Sequence, residues 1–366
     1  MKRHKYYTIY ILIFILIVVL AILYYLHYFV FANKRENLEI IYPDNNVQKI
    51  QFKFYRDDEF KTSLPFYLHS ECLFGILKNK LSLDIEFITS LDDLTSYNAK
   101  NTYVIIYTQN IYNNTLLWKD LINNNMNIII INTEPNNTFL ENHVKKQMEN
   151  NTNNIDIVIL DYIYDNIVNY QNLNINYMPF LWDDYLTQYY NSLLDAKIMR
   201  KNKDIDVLIF GRETERRKPI IDKLRTKYNV VDIRHVSHKE AINYLERSKI
   251  VLNIFSGEHG LGDKGKRYFD YFRLPLLFSN KIFVITETPE INENEQNLLG
   301  WEDIIPHAEF DDLEAMVDTY MQTNEEIIED IVEKQYTWFI KHPFEYAVKD
   351  VFYNKINPPD AAVNAT

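Results

Sequence analysis

Short runs of β-branched residues alternate with longer amphipathic stretches along most of this 366-residue chain. Runs such as Ile128–Ile131 lack the polar alternation of a half-exposed strand and are typical of parallel strands buried on both faces. Because parallel strands need long crossover connections, usually helices, the pattern restricts the chain to an α/β fold.

The pattern occurs in two successive series, separated by the polar stretch Arg200–Lys203. We expect each series to form one Rossmann-like, doubly wound domain, over residues 48–199 and 200–340, with the two domains facing a cleft. The first series predicts strands at Lys49–Tyr55, Asp84–Thr89, Tyr103–Thr108, Asn127–Asn132, Ile155–Leu160 and Ile175–Phe180, and helices at Phe66–Leu81, Tyr112–Asn123, Phe139–Asn150 and Asp165–Tyr170. The second predicts strands at Asp206–Phe210, Val230–Ile233, Ile250–Phe255 and Ile282–Thr286, and helices at Glu215–Tyr228, His238–Ser248, Lys264–Asn280, Asp311–Thr323, Glu325–Lys341 and Pro343–Tyr353.

An almost unbroken apolar run, Ile9–Leu26, stands near the N-terminus and is extended by aromatic residues to about Phe31. It is long enough to cross the roughly 30 Å hydrocarbon layer as a helix. We therefore expect a membrane anchor over residues 1–31, with the span at 9–31, and a polar stem over residues 32–47. The alternative is a cleavable signal peptide ending near Val30 and Ala32, although the apolar stretch is longer than such signals usually have. The expected protein is single-pass and type II-like, and four Asn-X-Ser/Thr sequons would permit glycosylation of a lumenal body.

Charge and cysteine content exclude several functions. Lys and Arg number 39 against 51 Asp and Glu, a net charge of −12, which excludes nucleic-acid binding driven by general positive charge. The single cysteine, Cys72, excludes an internal disulfide framework and a cysteine-based zinc cluster.

Four of the seven glycines lie within nine residues, at positions 257, 260, 262 and 265. They follow a predicted strand and lead into a predicted helix that carries Lys264, Lys266 and Arg267. Backbone N–H groups in such a turn approach an anion closely, and the cations add charge-assisted bonds to phosphate. The alternative is a surface loop in which the glycines only permit turns.

A second basic segment, Gly211–Lys218, follows the predicted strand Asp206–Phe210. Arg212 leaves the carboxyl end of that strand, where ligands of open α/β sheets bind. Arg216 and Arg217 are expected in the first turn of the next helix, where cations oppose the helix dipole unless an anion is present. A solvated face paired with neighbouring glutamates is the alternative. Both basic segments are predicted at one edge of the second sheet.

The segment from Ile205 to about Thr288 resembles the C-terminal domain of the group 1 glycosyltransferases, especially their spore-maturation-protein-like branch. The matching stretches are DVLIFGRETERRKPIIDKL, RSKIVLNIF and DYFRLPLLFSNKIFVITE, and the first half adds the looser matches INTE, DYIYDNI and MPF. Within them, the residues that match the branch are Gly211, Arg216, Arg217, Asn253, Asp270 (where Glu is usual), Arg273, Asn280 and Glu287.

The resemblance implies a GT-B glycosyltransferase that uses no metal or other cofactor, with the nucleotide-sugar donor on the second domain and the acceptor on the first. It also implies that a last helix, at 341–356, crosses back to the first domain, ahead of a tail at 357–366. The diphosphate would be held by Arg212, Arg216, Arg217, Lys264, Lys266 and Arg267. Glu287 would bind the ribose, and Arg273 would orient Glu287 or touch the donor. We expect acceptor contacts from Glu134, Asp161 and Tyr162, at strand ends of the first domain.

The candidate catalytic residues come from the inserted glycine-rich segment. The branch usually has a histidine where this chain has Phe255, and the inserted glycine-rich segment brings Glu258 and His259 instead, which we predict from position as acid/base candidates. The expected activity is sugar transfer to a glycan, glycoprotein or glycolipid acceptor near a membrane. Phe255 and Asp270 favour the alternative of a membrane-anchored nucleotide- or sugar-binding pseudoenzyme. A third hypothesis is a two-lobed solute receptor. It gives no role to the basic residues of the two segments.

Overall fold

Two all-parallel β-sheets organise the chain, which the computed structural model describes over residues 50–57, 62–90, 99–133, 140–149, 155–170, 173–211, 213–233, 236–255, 267–290 and 293–352. Both sheets belong to one compact unit. The α/β class and the parallel sheets that the sequence predicts are confirmed.

The first sheet contains six strands in the order β2-β1-β3-β4-β5-β6. These strands are β1 (Gln51–Tyr55), β2 (Asp84–Ile88), β3 (Thr102–Tyr107), β4 (Asn127–Asn132), β5 (Ile157–Asp161) and β6 (Ile175–Tyr177). The accompanying helices are α1 (Leu64–Gly75, continued by a π-helical turn at Ile76–Lys80), α2 (Thr108–Asn113), α3 (Thr115–Asn123), α4 (Lys146–Glu149, preceded by a π-helical turn at Leu140–Lys145) and α5 (Tyr164–Asn169).

The second sheet contains five strands in the order β11-β10-β9-β7-β8. These strands are β7 (Ile205–Phe210), β8 (Val230–Ile233), β9 (Ser248–Asn253), β10 (Val284–Glu287) and β11 (His307–Ala308). The helices of this half are α6 (Asp184–Leu193), which precedes the sheet, and α7 (Lys218–Arg225), α8 (His238–Glu246), α9 (Leu274–Ser279), α10 (Glu293–Leu299), α11 (Leu313–Gln322), α12 (Glu325–Phe339) and α13 (Phe344–Val351).

The two sheets have the same strand order around their first strands. In the first sheet β1 lies between β2 and β3, and in the second β7 lies between β8 and β9, so each order reverses beside its own first strand. Such a reversal leaves a crevice outside the carboxyl ends of the strands, which is where ligands of open α/β sheets bind. The two crevices lie between β1 and β3 and between β7 and β9.

Both faces of each sheet are buried, as the continuous apolar runs predict. In β7, Leu208 and Phe210 join a core cluster that includes residues of both sheets, while Val207 and Ile209 pack on the opposite face. Successive side chains of a strand point to opposite faces, so an uninterrupted apolar run supplies both layers.

The helix predicted at Lys264–Asn280 is wrong from residue 267 to residue 273. In the part of it that the structure describes, only Leu274–Ser279 is helical, and Arg267 precedes it in non-helical backbone whose carbonyl accepts a bond from the N–H of Glu290. Pro275 lies in the first turn of α9, the part of a helix that tolerates proline, because it has no N–H to donate.

The same effect shortens the helix predicted at Glu215–Tyr228. The observed helix α7 begins at Lys218, with proline at its second position, so Arg217 occupies the N-cap position and Arg216 precedes it. Both arginines therefore lie in the turn before the helix and not within its first turn, which places them nearer to the strand ends.

The last helix, α13, packs against the first sheet. The ring of Phe344 lies 5.1 Å from that of Phe180, and Phe352 lies 5.9 Å from Phe52 of β1. An ion pair of 2.8 Å joins Lys80 to Glu345. The end of the described chain thus returns to the half in which the chain began.

The predicted anchor at residues 9–31 lies outside the described residues, as do the stem at 32–47 and the tail at 357–366. Among the helices that the structure does describe, none is both long and apolar enough to cross a membrane. The membrane anchor stays a prediction from the sequence.

Candidate functional site

The crevice between β7 and β9 is lined by arginines. The chain leaves β7 at Phe210 and turns at Gly211, while β9 continues into Ile254 and Phe255 at the same edge. Gly211 has a φ of +141°, which L side chains rarely adopt. A Cβ atom at Gly211 would lie 3.1 Å from Nη1 of Arg217 and 3.4 Å from Nη1 of Arg273. The glycine is thus needed both for the turn and for the close approach of two guanidinium groups.

These two guanidinium groups are held by the strand ends. Arg217 is 2% exposed, and its Nε donates to the carbonyl oxygen of Ile254 at 2.9 Å. Nη1 of Arg273 donates to the carbonyl oxygen of Phe210 at 2.9 Å, and its Nη2 pairs with Asp270 at 2.5 Å. The positive charge at this edge is therefore fixed in place, as an anion site requires.

Glu287, at the end of β10, joins two further arginines. Its side chain is fully buried, and its Oε2 accepts from Nη1 of Arg216 at 2.8 Å and from the N–H of Phe255 at 3.1 Å. Nη1 of Arg267 lies 3.3 Å from the other oxygen. Both oxygens of Glu287 therefore contact arginines in this structure, and the ribose contact that the resemblance implies for Glu287 stays a prediction. Glu287 positions Arg216 and Arg267.

Arg267 links this pair to the rim of the site. Its guanidinium also contacts Glu309 at 2.7 Å and Glu290 at 2.8 Å, two carboxylates with half-exposed side chains. The structure thus brings Arg216, Arg217, Arg267 and Arg273 together at one edge of the sheet, where the two basic segments predict the first three. Arg267 reaches this edge from extended chain instead of from a helix.

The remaining predicted donor-site and catalytic residues lie outside the described residues. They are Arg212, Glu258, His259, Lys264 and Lys266, and Glu134 of the predicted acceptor site joins them. The segment 256–266 is bounded by Phe255 and Arg267, which both contact Glu287. The chain therefore enters and leaves that segment at the arginine cluster.

The predicted acceptor residue Asp161 ends β5 and is fully buried. Its carboxylate accepts from Nδ2 of Asn132 at 2.9 Å, from Nδ2 of Asn166 at 2.8 Å and from the N–H of Ile163 at 2.8 Å. Burial raises the pKa of Asp161 to about 6, although these hydrogen bonds oppose the shift. Asp161 therefore shapes the loop after β5, where Tyr162 is half-buried.

The segment Asp270–Arg273 connects the two sheet edges. Asp270 and Arg273 face the second sheet, whereas the ring of Phe272 contacts three rings of the first half. It lies 5.1 Å from Phe66, 5.2 Å from Tyr162 and 5.3 Å from His69. Sequence reasoning matched Asp270 and Arg273 and missed the two aromatic residues between them.

Tyr271, the other missed aromatic, closes a buried polar contact between the halves. Its hydroxyl lies 2.8 Å from that of Tyr177, at the end of β6, and donates to Oε1 of Glu295 at 2.5 Å. Burial raises the pKa of Glu295 to about 7, and the negative charges of Asp165 and Asp161 act in the same direction.

The raised pKa of Glu295 predicts a pH-dependent stability. Because the folded protein binds this proton more tightly than the unfolded chain does, the contribution of Glu295 to stability is largest near pH 4.5 and is lost as the pH rises towards 7. Glu295→Gln, which keeps a neutral side chain of the same shape, should become more stable relative to wild type between pH 5 and pH 8, by up to about 3 kcal/mol. Chemical denaturation at several pH values measures this difference.

Glu293→Gln is the matched control, because Glu293 is exposed and lies on the same helix. Its stability relative to wild type should stay nearly constant over that pH range. If the stability of Glu295→Gln relative to wild type is equally independent of pH, the prediction is contradicted.

A second aromatic group that sequence reasoning missed lies where β8 ends and α8 begins. The hydroxyl of Tyr189 lies 2.7 Å from Nδ1 of His238, and the ring of Tyr67 packs 5.0 Å from the same imidazole. Nearby, the guanidinium of Arg56 pairs with Glu71 and lies 3.9 Å from the ring centre of Phe87. The spacing of Tyr185 and Tyr189, which places both on one face of α6, was the available sequence signal. Only tertiary packing brings this face of α6 next to α8.

No group of three or more His, Cys, Asp and Glu side chains able to hold a metal ion occurs within the described part of the chain. Metal independence stays a prediction, and the eleven residues 256–266 lie outside that part.

Comparisons with known proteins support the fold. No protein-family model matches the chain. It is 25% identical over 243 residues to the uncharacterized protein R358 of Acanthamoeba polyphaga mimivirus, spanning 65% of this chain and 77% of that protein. The structure is similar to the N-terminal domain of trehalose-6-phosphate phosphatase from Candida albicans, with a TM-score of 0.51, 9% identity, and coverage of 85% of this chain and 97% of that domain.

The structure is also similar to the glycosyltransferase SnogD from Streptomyces nogalater, with a TM-score of 0.39, 10% identity, and coverage of 83% of this chain and 99% of that protein. At such low identity a likeness to solved structures concerns the fold alone. The likeness to the Candida albicans domain extends over most of the chain, so the two-sheet α/β architecture is one that known proteins share.

Proposed function

We propose that this chain is a glycosyltransferase of the GT-B type that moves a sugar from a nucleotide sugar to a glycan, glycoprotein or glycolipid acceptor near a membrane. The observation that carries the proposal is the cluster of Arg216, Arg217, Arg267 and Arg273 at the carboxyl edge of the second sheet, beside its switch point. Ligands of parallel α/β sheets bind at this place, and fixed guanidinium groups suit a diphosphate.

The proposed reaction breaks the bond between the anomeric carbon and the donor diphosphate and forms a bond from that carbon to an acceptor hydroxyl oxygen. The hydroxyl proton passes to a base, for which Glu258 and His259 remain the candidates by position. Negative charge develops on the departing diphosphate. Arginines already fixed against strand carbonyls stabilise that charge without reorganising, and so lower the barrier with no metal.

The other proposed roles follow from the positions of the residues. Arg212, Lys264 and Lys266 would complete the diphosphate site from segments that begin and end at the cluster. Tyr162, with Glu134, would contribute to the acceptor site at the edge of the first sheet, while Asp161 holds the loop that carries Tyr162. The resemblance to the spore-maturation-protein-like branch rests on the sequence motifs alone.

A binding protein without turnover is the second candidate. Glu287 pairs with both Arg216 and Arg267 in the described geometry and so offsets part of their charge, and Phe255 stands where the resembling branch usually has a histidine. Such a pseudoenzyme would keep the donor site but would lack the acid/base group.

The full-length chain in detergent, without metal and with a chelator, separates these possibilities. A nucleoside diphosphate that binds only the folded state should stabilise it by about 2.7 kcal/mol at a hundredfold excess over Kd. We expect a rise in Tm with one base of a nucleotide panel, and release of that nucleoside diphosphate from its sugar conjugate when a suitable acceptor is present. Binding without release would favour the pseudoenzyme, and a well-folded sample that no nucleotide stabilises would refute both candidates.

A further inference from the structure

A cavity of about 640 Å³ opens at the amino-terminal edge of the second sheet, opposite to the edge that carries the arginine cluster. One wall is the connection between the two sheets, from Lys197 to Lys203, and another is formed by Ser279 to Phe283, between α9 and β10. Sites for small ligands typically have volumes of about 300–1,000 Å³. The cavity is therefore large enough for a ligand of metabolite size, and nothing in the proposed transfer reaction uses it.

Cations outnumber carboxylates by five to three in the lining of this cavity, which includes Lys197, Arg200, Lys203, Lys249 and Lys281. Three of these lysines already pair with carboxylates: Lys249 with Asp206 at 2.7 Å, Lys281 with Glu333 at 2.6 Å, and Lys197 with Glu246 at 3.6 Å. Lys203 differs from them, because no carboxylate among the described residues lies within 4 Å of its Nζ.

The surroundings of Lys203 disfavour its charge. The pKa of Lys203 is lowered to about 8, mainly by burial; the attraction of Glu246 opposes this shift, and the charges of Arg200 and Lys197 add to it. The carboxylate of Glu246 is itself occupied, since it accepts from the hydroxyl of Tyr190 at 2.9 Å and from the N–H of Ile198 at 2.7 Å. An anion beside Lys203 and Arg200 would add a direct partner to the attraction that Glu246 and Glu325 exert on these two cations.

Two buried polar atoms of residues in the same lining also lack a hydrogen-bond partner among the described residues. The Oγ of Ser279 and the Oδ1 of Asn280 form no hydrogen bond with any residue that the structure describes, although the two residues are only 2% and 8% exposed. Nδ2 of Asn280 donates to the carbonyl oxygen of Leu276 at 2.8 Å, so Oδ1 is left as an acceptor. Buried polar groups nearly always find a partner. An acceptor needs a donor, and a fully ionised phosphate has none.

We propose that this cavity binds a phosphomonoester that carries hydroxyl groups, with its phosphate between Lys203 and Arg200 and a hydroxyl group donating to Asn280. This chemical class meets both requirements, because the phosphate supplies the anion and a hydroxyl group supplies the hydrogen-bond donor. The site is separate from the arginine cluster, so it does not depend on the proposed transferase function.

Isothermal titration of the full-length chain with glycerol 3-phosphate tests the site, with inorganic phosphate and glycerol as the comparison ligands. Lys203→Met should weaken the binding of glycerol 3-phosphate by about 10- to 100-fold, the effect of losing a charge-assisted bond. Lys201→Met is the matched control, because Lys201 is exposed and lies on the same turn outside the cavity. Its affinity should equal that of wild type.

Proton uptake provides a second readout that a loss of folding cannot imitate. At pH 8 Lys203 is about half protonated in the free protein, so binding of a dianion should draw up to about half a proton per site. Titration in buffers of different ionisation enthalpy measures this uptake, which Lys203→Met should abolish.

Three results would overturn the proposal. One is an absence of glycerol 3-phosphate binding at millimolar concentration. Another is an affinity for inorganic phosphate equal to that for the ester, which would remove the hydroxyl contact. The third is competition by a nucleoside diphosphate together with loss of binding in Arg273→Gln, which would place the phosphate at the arginine cluster.

Discussion

Glu287→Ala is expected to lower the free energy of unfolding by about 3 kcal/mol or more. The carboxylate is fully buried, and it accepts bonds from Arg216, Arg267 and the N–H of Phe255. Removing one partner of a buried ion pair leaves the other charges without compensation, and this desolvation penalty exceeds the loss of the contact itself. Chemical denaturation of the full-length chain at neutral pH measures the change.

Glu290→Ala is the matched control, since Glu290 contacts the same guanidinium, that of Arg267, at 2.8 Å from a half-exposed side chain. An exposed ion pair contributes less than about 1 kcal/mol, so this variant should stay close to wild type. Equal losses in the two variants would show that Glu287 is not the organising charge of the cluster.

Arg273→Gln is expected to lower kcat/KM for sugar transfer by about 10²- to 10³-fold, the effect typical of removing one preorganised donor from a developing negative charge. The guanidinium of Arg273 lies at the Gly211 turn, is bound to the carbonyl oxygen of Phe210, and is only partly buried. Glutamine keeps part of the side chain but cannot carry the charge. This prediction rests on the proposed transferase function, and initial rates with the donor identified by stabilisation measure it.

Two further variants localise the effect. Arg273→Lys keeps the charge without the fork that reaches both Phe210 and Asp270, so its kcat/KM should be intermediate. Arg247→Gln removes a half-exposed arginine that precedes β9, at the opposite edge of the sheet, and should keep wild-type rates. An unchanged kcat/KM in Arg273→Gln, with the protein folded, would remove Arg273 from the donor site.

The sequence places cations at one sheet edge because this inference needs only local information. Continuous apolar runs identify buried parallel strands, and parallel strands present all their carboxyl ends at the same edge. Arg216 and Arg217 therefore lie at the expected edge, whereas Arg273, which follows Arg217 by 56 positions and approaches the same glycine, was identified only through the resemblance. The sequence predicted the starts of the helices less accurately. Helices α7 and α9 begin one residue before Pro219 and Pro275, later than predicted, so Arg217 and Arg267 lie outside helices.

No comparable pattern in the sequence indicates which residues contact those cations. Glu287 ends its strand at the right edge, but the sequence does not show that Arg216 and Arg267 enclose it, because pairing across 71 and 20 positions depends on how the loops fold back. The ring of Phe272 reaches the first half for the same reason, and the contact of Tyr189 with His238 spans 49 positions.

The amino-acid sequence by itself therefore determined the α/β class, the two strand series and the edge at which the positive charge collects, because strand periodicity and chain direction are local properties. Only the tertiary structure decided which carboxylate each arginine contacts, which aromatic rings join the two halves, and that a cavity lined by Lys203 and Asn280 lies at the opposite edge. Those features depend on side chains far apart in sequence, whose contacts exist only once both sheets have packed.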